Sequence, residues 1–154
     1  MKLLKLVIVD DEPILLEGLL KTYDWVGMGF EVVGSAKDGN QAIQVIKDKK
    51  PNVVLTDIRM KKVSGLQVME EIEKEKINCL FVVLSAYRDF EYAKQACDLG
   101  AFAYLLKPIN DDELRQTMCE AYEFCMGRIQ NEEKIERWED LIVKDKDTFL
   151  KVIL

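Results

Sequence analysis

The chain has 154 residues, 49% hydrophobic and 32% charged, which is one globular domain with room for a short appendage and needs no disulfide or structural metal to hold a core. It has no histidine, so Ser-His-Asp and Cys-His nucleophile systems, His-ligated zinc and a phosphohistidine carrier are all excluded. A net charge of −6 makes the chain itself a poor binder of nucleic acid, which demands a basic face.

In chain order, Leu3 to Val9 is a short continuous apolar run that suits a strand buried on both faces. Asp10 and Asp11 interrupt it before it can serve as a signal peptide, and no later run approaches the roughly 20 residues of a membrane span. The expectation is a cytoplasmic chain without a membrane partner. Pro13 opens a helix in its first turn, with Ile14, Leu15, Leu16, Leu19 and Leu20 apolar. Phe30 to Gly34 reads as a second strand. Gly39-Asn40 starts a helix carrying Ala42, Ile43, Val45 and Ile46, which Lys49-Lys50-Pro51 stops. Val53 to Thr56 is a third strand, followed by Leu66, Met69 and Ile72 at helical spacing. Leu80 to Leu84 is a fourth strand. Phe90, Ala93, Ala96 and Leu99 mark a helix closed by Gly100. Phe102 to Leu106 is a fifth strand, and Asn110 or Asp111 caps a last helix with Leu114, Met118, Ala121 and Phe124 facing inward.

Five strands alternating with five helices imply an α/β fold: a doubly wound parallel sheet of flavodoxin-like size, with strand order 2-1-3-4-5. Residues 1–127 form that domain. Residues 128–154 read as a helical extension, in which Ile135, Trp138, Leu141 and Ile142 keep a helical spacing. The closing Phe149-Leu150-Lys151-Val152-Ile153-Leu154 is apolar, which points to a linker helix or partner surface rather than to a helix folded back on the domain. Cys79, Cys97, Cys119 and Cys125 contain no C-x-x-C and are expected to be reduced, inert and mostly buried.

Ligands of open α/β sheets bind at the carboxyl ends of the strands. Strand one ends on Asp10-Asp11-Glu12, strand three on Asp57, strand four on Ser85, and strand five on Lys107-Pro108. Singly, each is a common helix cap, turn or surface lysine. Together they specify one chemistry. Two carboxylates about 4 Å apart repel by about 4 kcal/mol at a protein-surface dielectric. Such a cluster needs a cation, a raised pKa, or both. An all-oxygen donor set selects Mg²⁺, or Mn²⁺. A carboxylate beside that ion and a lysine can attack phosphorus, and Asp57, central and single, is the nucleophile candidate. Lys107 would share the transition-state charge, and the Ser85 hydroxyl can bond a phosphoryl oxygen.

At these residues the sequence resembles the response-regulator receiver domain of two-component signalling. The matching stretches are Val9-Asp10-Asp11-Glu12, Leu55-Thr56-Asp57-Ile58-Arg59-Met60, Leu84-Ser85-Ala86 and Leu106-Lys107-Pro108, in the order and spacing of that family. The resemblance implies transfer of a phosphoryl group from a sensor histidine kinase to Asp57. Asp11 and Asp57 would bind Mg²⁺ with the Arg59 backbone carbonyl, and Asp10 would assist through water. Lys107 would pair with the phosphoryl group, and the Lys107–Pro108 bond would be cis. Ser85 and Tyr104 would be the switch residues, remodelling the face of helix four, strand five and helix five. The chain departs from the family after Met60, where Lys61-Lys62 replace the usual proline and the residue after it. The stretches from Ser85 to Lys94 and from Gly100 to Ile109 resemble receivers fused to arabinose-regulator-type helix-turn-helix domains. That implies a transcriptional regulator that binds DNA only through an output domain absent from this chain, with homodimer formation on phosphorylation. A signalling domain, not an enzyme, is therefore expected. The competing readings are an Mg²⁺-dependent phosphatase, which would need Asp-x-Asp where Asp10-Asp11 stand, a flavin or nucleotide binder, and a receiver-shaped module that takes no phosphate.

Overall fold

The computed structural model describes residues 2–86 and 90–144, with the side chains of residues 90 and 136–144 outside that description. The stretch 87–89 of the family resemblance and the apolar end at 149–154 lie outside the described residues. The strands are β1 (Leu4–Val9), β2 (Phe30–Ala36), β3 (Val53–Asp57), β4 (Leu80–Ala86) and β5 (Ala103–Lys107). The helices are α1 (Pro13–Thr22), α2 (Gly39–Lys49), α3 (Gly65–Lys74), α4 (Phe90–Asp98) and α5 (Asp111–Lys144). The five strands form one sheet, every pair parallel, in the expected order β2-β1-β3-β4-β5.

Apart from Lys5 and the polar residues at their carboxyl ends, the central strands are apolar because helices cover both of their faces. Side chains alternate across the sheet, so each strand feeds two cores. Val7, Val9, Val54, Phe81 and Val83 pack in one cluster with Ala42 and Ile46 of α2, Val68 and Ile72 of α3, and Ala93 and Ala96 of α4. Their alternates Leu6, Ile8, Leu55 and Leu84 are equally buried and do not belong to that cluster; Leu16 and Leu19 of α1 and Leu114 and Met118 of α5 are buried outside it as well. Right-handed crossovers produce this division of helices between the faces.

Local chemistry sets the helix starts. Pro13 opens α1. The Asp38 side chain accepts the Gln41 amide at the start of α2, and Ser64 and Gln67 form a reciprocal capping box at the start of α3. Asn110 Oδ1 accepts the Glu113 amide at 3.1 Å where α5 begins. Gly100 ends the α4 connection at φ +95°, a conformation that glycine adopts without steric cost.

Two expectations are corrected. Of the cysteines, only Cys125 is buried; Cys97 and Cys119, on the outer sides of α4 and α5, are exposed, and Cys79, just before β4, is partly buried against the core. Phe124 is exposed and does not face inward. α5 runs unbroken from Asp111 to Lys144, a stretch with no proline. Contacts divide the chain into two compact units, Met1–Ala121 and Tyr122–Leu154. In the second, the Arg128 guanidinium lies 5.8 Å from the Phe124 ring centre.

Candidate functional site

Strand register brings the polar residues to one edge. Val9 pairs with Thr56, so Asp10 and Asp57 follow side by side at the ends of β1 and β3. Asp57 pairs with Leu84, one residue before Ser85, and Ala86 pairs with Lys107. The backbone around Asp57 is tightly held: Ile58 N donates to Leu84 O at 3.0 Å, and Gly65 N donates to Ile58 O at 2.6 Å. A Cβ at Gly65 would stand 2.6 Å from the Asp57 carbonyl oxygen, so only glycine admits this approach.

Asp10, Asp11 and Asp57 each offer a carboxylate oxygen within 4.8 Å of the others. Asp10 is fully buried and Asp57 is 7% exposed. The Lys107 ammonium bridges them, donating to Asp57 Oδ2 at 3.1 Å and Asp10 Oδ2 at 3.2 Å. The other Asp10 oxygen accepts the Glu12 amide at 3.0 Å. The Lys107–Pro108 peptide is cis.

One ammonium does not neutralise three carboxylates. Burial raises the Asp57 carboxyl from 3.8 to about 6; Lys107 opposes the rise, and Asp10 and Asp11 add to it. Burial works against the Lys107 charge, yet attraction to Asp57 and then Asp10 outweighs it and holds the ammonium above its ordinary range. The excess negative charge and the hard oxygen donors fit Mg²⁺.

Asp10, Asp11, Asp57 and Lys107 are thus brought together. Ser85 reaches the same edge and is buried, but its hydroxyl donates to the Ala86 carbonyl at 3.1 Å. The Tyr104 side chain is 41% exposed. Arg59 follows two residues after Asp57 with its side chain exposed.

Two cavities flank the acids, and neither was legible beforehand. A groove of about 530 Å³ opens on the Asp10–Lys107 side, walled by Ile14, Leu15, Leu19 and Pro108. Ile14, at 85% exposed, offers its side chain outward. At the far end of the groove the Tyr23 hydroxyl donates to Asp111 at 2.6 Å. A cavity of about 260 Å³ lies on the Asp11 side, bordered by Lys37, Asp38, Lys61 and Lys62. The signal for the second was the Lys61-Lys62 pair; Lys37 gave none.

The response regulator receiver domain family matches residues 6–118. The chain is 36% identical over 110 residues to "Uncharacterized transcriptional regulatory protein YesN" of Bacillus subtilis (strain 168), covering 71% of this chain and 30% of that protein. It is 38% identical over 110 residues to "Transcriptional regulatory protein HptR" of Staphylococcus aureus (strain NCTC 8325 / PS 47), covering 71% and 43%. The chain therefore spans less than half the length of these curated relatives. Among solved structures, the REC domain of AraT, a response regulator from Geobacillus stearothermophilus, superposes with a TM-score of 0.75 at 31% identity, covering 85% of this chain and 98% of that one. A two component transcriptional regulator AraC from Clostridium phytofermentans ISDg superposes with a TM-score of 0.74 at 33% identity, covering 80% and 96%. No helix among the described residues is long and apolar enough to cross a membrane.

Proposed function

The chain belongs to the response regulator receiver domain family, and from that membership we propose that Asp57 accepts a phosphoryl group from a sensor histidine kinase. The observation that carries this reading is the meeting of Asp10, Asp11 and Asp57 within 4.8 Å, with Lys107 bridging two of them.

Asp57 supplies the nucleophilic oxygen. With its carboxyl at about 6, it is ionised at pH 7.5 and still basic for a carboxylate, which favours attack. The new bond runs from an Asp57 oxygen to phosphorus as the donor's bond to phosphorus breaks. Asp11 and Asp57, with the Arg59 carbonyl, would hold Mg²⁺, and Asp10 would assist through water. When bound, the ion supplies positive charge that offsets the phosphoryl oxygens. Lys107 already stands 3.1 Å from Asp57 and exchanges part of that pairing for a phosphoryl oxygen. The groove beside Lys107, with Ile14 and Leu15 on its rim, suits apolar side chains of the kinase.

The switch follows from what the new acceptors draw in. Ser85 gives up the Ala86 carbonyl for a phosphoryl oxygen, and Tyr104 leaves its exposed position for the space vacated. The face of α4, β5 and α5 is thereby remodelled, favouring homodimers and controlling an output domain outside this chain. Transcriptional output through DNA is the reading supported by the transcriptional regulatory relatives. A cytoplasmic location agrees with a kinase donor.

Incubating the chain with Mg²⁺ and acetyl phosphate tests this. The expected result is the addition of one phosphoryl group by mass, lost in Asp57→Asn. Undiminished labelling of that variant would place the nucleophile elsewhere.

A further inference from the structure

The Lys61-Lys62 pair has no part in the chemistry above, yet it borders the cavity that meets the acid cluster at Asp11. The walls of this cavity come from two loops, one at Lys37–Asn40 and one at Lys61–Lys62. They are locked together where Gly39 packs on Val63: a Cβ at Gly39 would stand 2.5 Å from the Val63 carbonyl oxygen. The cavity is therefore preformed. Three lysines and two acids line it. Asp38 is engaged by the Gln41 amide at 2.8 Å, and Asp11 belongs to the acid cluster. The ammonium groups of Lys37, Lys61 and Lys62 have no ion-pair partner among the described residues. Lys62 has φ 67°, a left-handed conformation that glycine adopts freely and a side-chain-bearing residue adopts at a cost. A charged side chain thus occupies a position whose backbone favours none, on a cavity that Asp11 of the acid cluster also lines.

We propose that Lys37, Lys61 and Lys62 form a subsite for the anionic leaving group of small acyl phosphates, which this chain then prefers over small phosphodonors whose leaving group departs neutral. The inference rests on Asp57 being the phosphoacceptor. As an Asp57 oxygen bonds to phosphorus, the bond from phosphorus to the acyl oxygen breaks and its electron pair leaves on that oxygen. The product is a carboxylate, and no proton, oxidant or reductant is needed. Charge developing on the departing oxygen is what neighbouring ammonium groups stabilise. A donor whose leaving group departs neutral gains nothing from them.

The test compares acetyl phosphate, which releases acetate, with phosphoramidate, which releases ammonia, at one saturating Mg²⁺ concentration. Lys37→Gln/Lys61→Gln/Lys62→Gln is expected to label about fivefold or more slowly with acetyl phosphate and less than about twofold more slowly with phosphoramidate, the size of a few partly screened charges acting on one donor only. Lys62→Gly alone, a change its backbone favours, is expected to shift the donor ratio in the same direction by about twofold. Equal slowing with both donors, or an unchanged ratio in both variants, overturns the subsite while leaving Asp57 as acceptor. Absence of label from both donors in the unaltered chain overturns the acceptor reading and this inference with it.

Discussion

Replacing Asp57 with asparagine is expected to stabilise the folded chain while abolishing phosphorylation. The Asp57 carboxyl is raised from 3.8 to about 6. Between those values the folded state binds a proton that the unfolded state has released, so stability falls as pH rises through about 4 to about 6 and stays lowered above. A shift of about 2 units corresponds to about 3 kcal/mol at pH 7.5. Asparagine keeps the shape and removes the buried charge, while Lys107 retains Asp10 at 3.2 Å. Loss of one Lys107 partner leaves a net gain of about 1–3 kcal/mol, or about 3–9 °C in Tm. Thermal melts without Mg²⁺ at pH 7.5 and pH 5 measure it. The gain should be present at pH 7.5, fall to roughly half at pH 5, where the folded state holds a proton that the unfolded state has mostly released, and vanish only below about pH 4. A variant less stable than the parent at pH 7.5, or a gain that grows on acidification, would refute the reasoning.

Mg²⁺ at about 100 times its Kd should stabilise the parent by about 2.7 kcal/mol in chemical denaturation, and Asp11→Asn should require at least about tenfold more Mg²⁺ for the same gain; an unchanged midpoint in the variant would remove Asp11 from the metal site. Lys50 caps α2 at φ 46°, so Lys50→Gly should raise stability by about 0.5–1 kcal/mol by urea titration without altering labelling. Gly65→Ala drives a Cβ to 2.6 Å from the Asp57 carbonyl oxygen and should cost about 1–3 kcal/mol, with slower labelling as the Asp57 backbone shifts; a neutral effect in both assays would contradict the close packing.

Much of the architecture was legible because both of its periods were clean. The short apolar runs at Val53 to Leu55 and Leu80 to Leu84 suit strands covered on both faces, and the parallel order then carries Asp10, Asp57 and Lys107 to one edge. What stayed hidden depends on side-chain direction. Spacing could not tell that the Ser85 hydroxyl turns to its neighbour's carbonyl, or that Tyr104 stands outward. Helical periodicity put Phe124 on the stripe of Leu114, Met118 and Ala121, but a helix face drifts along its length, and Phe124 is exposed. Lys37 lies 24 residues before Lys61, and only the packing of Gly39 on Val63 shows that they share a cavity.

The central claim is that one carboxylate among three carries the phosphoryl group. Borohydride reduces an acyl phosphate to an alcohol and so marks the labelled position for peptide mapping. After treatment with acetyl phosphate and Mg²⁺, homoserine should replace aspartate at position 57 and nowhere else. Homoserine at position 10 or 11, or a labelled chain with none at position 57, would contradict the account.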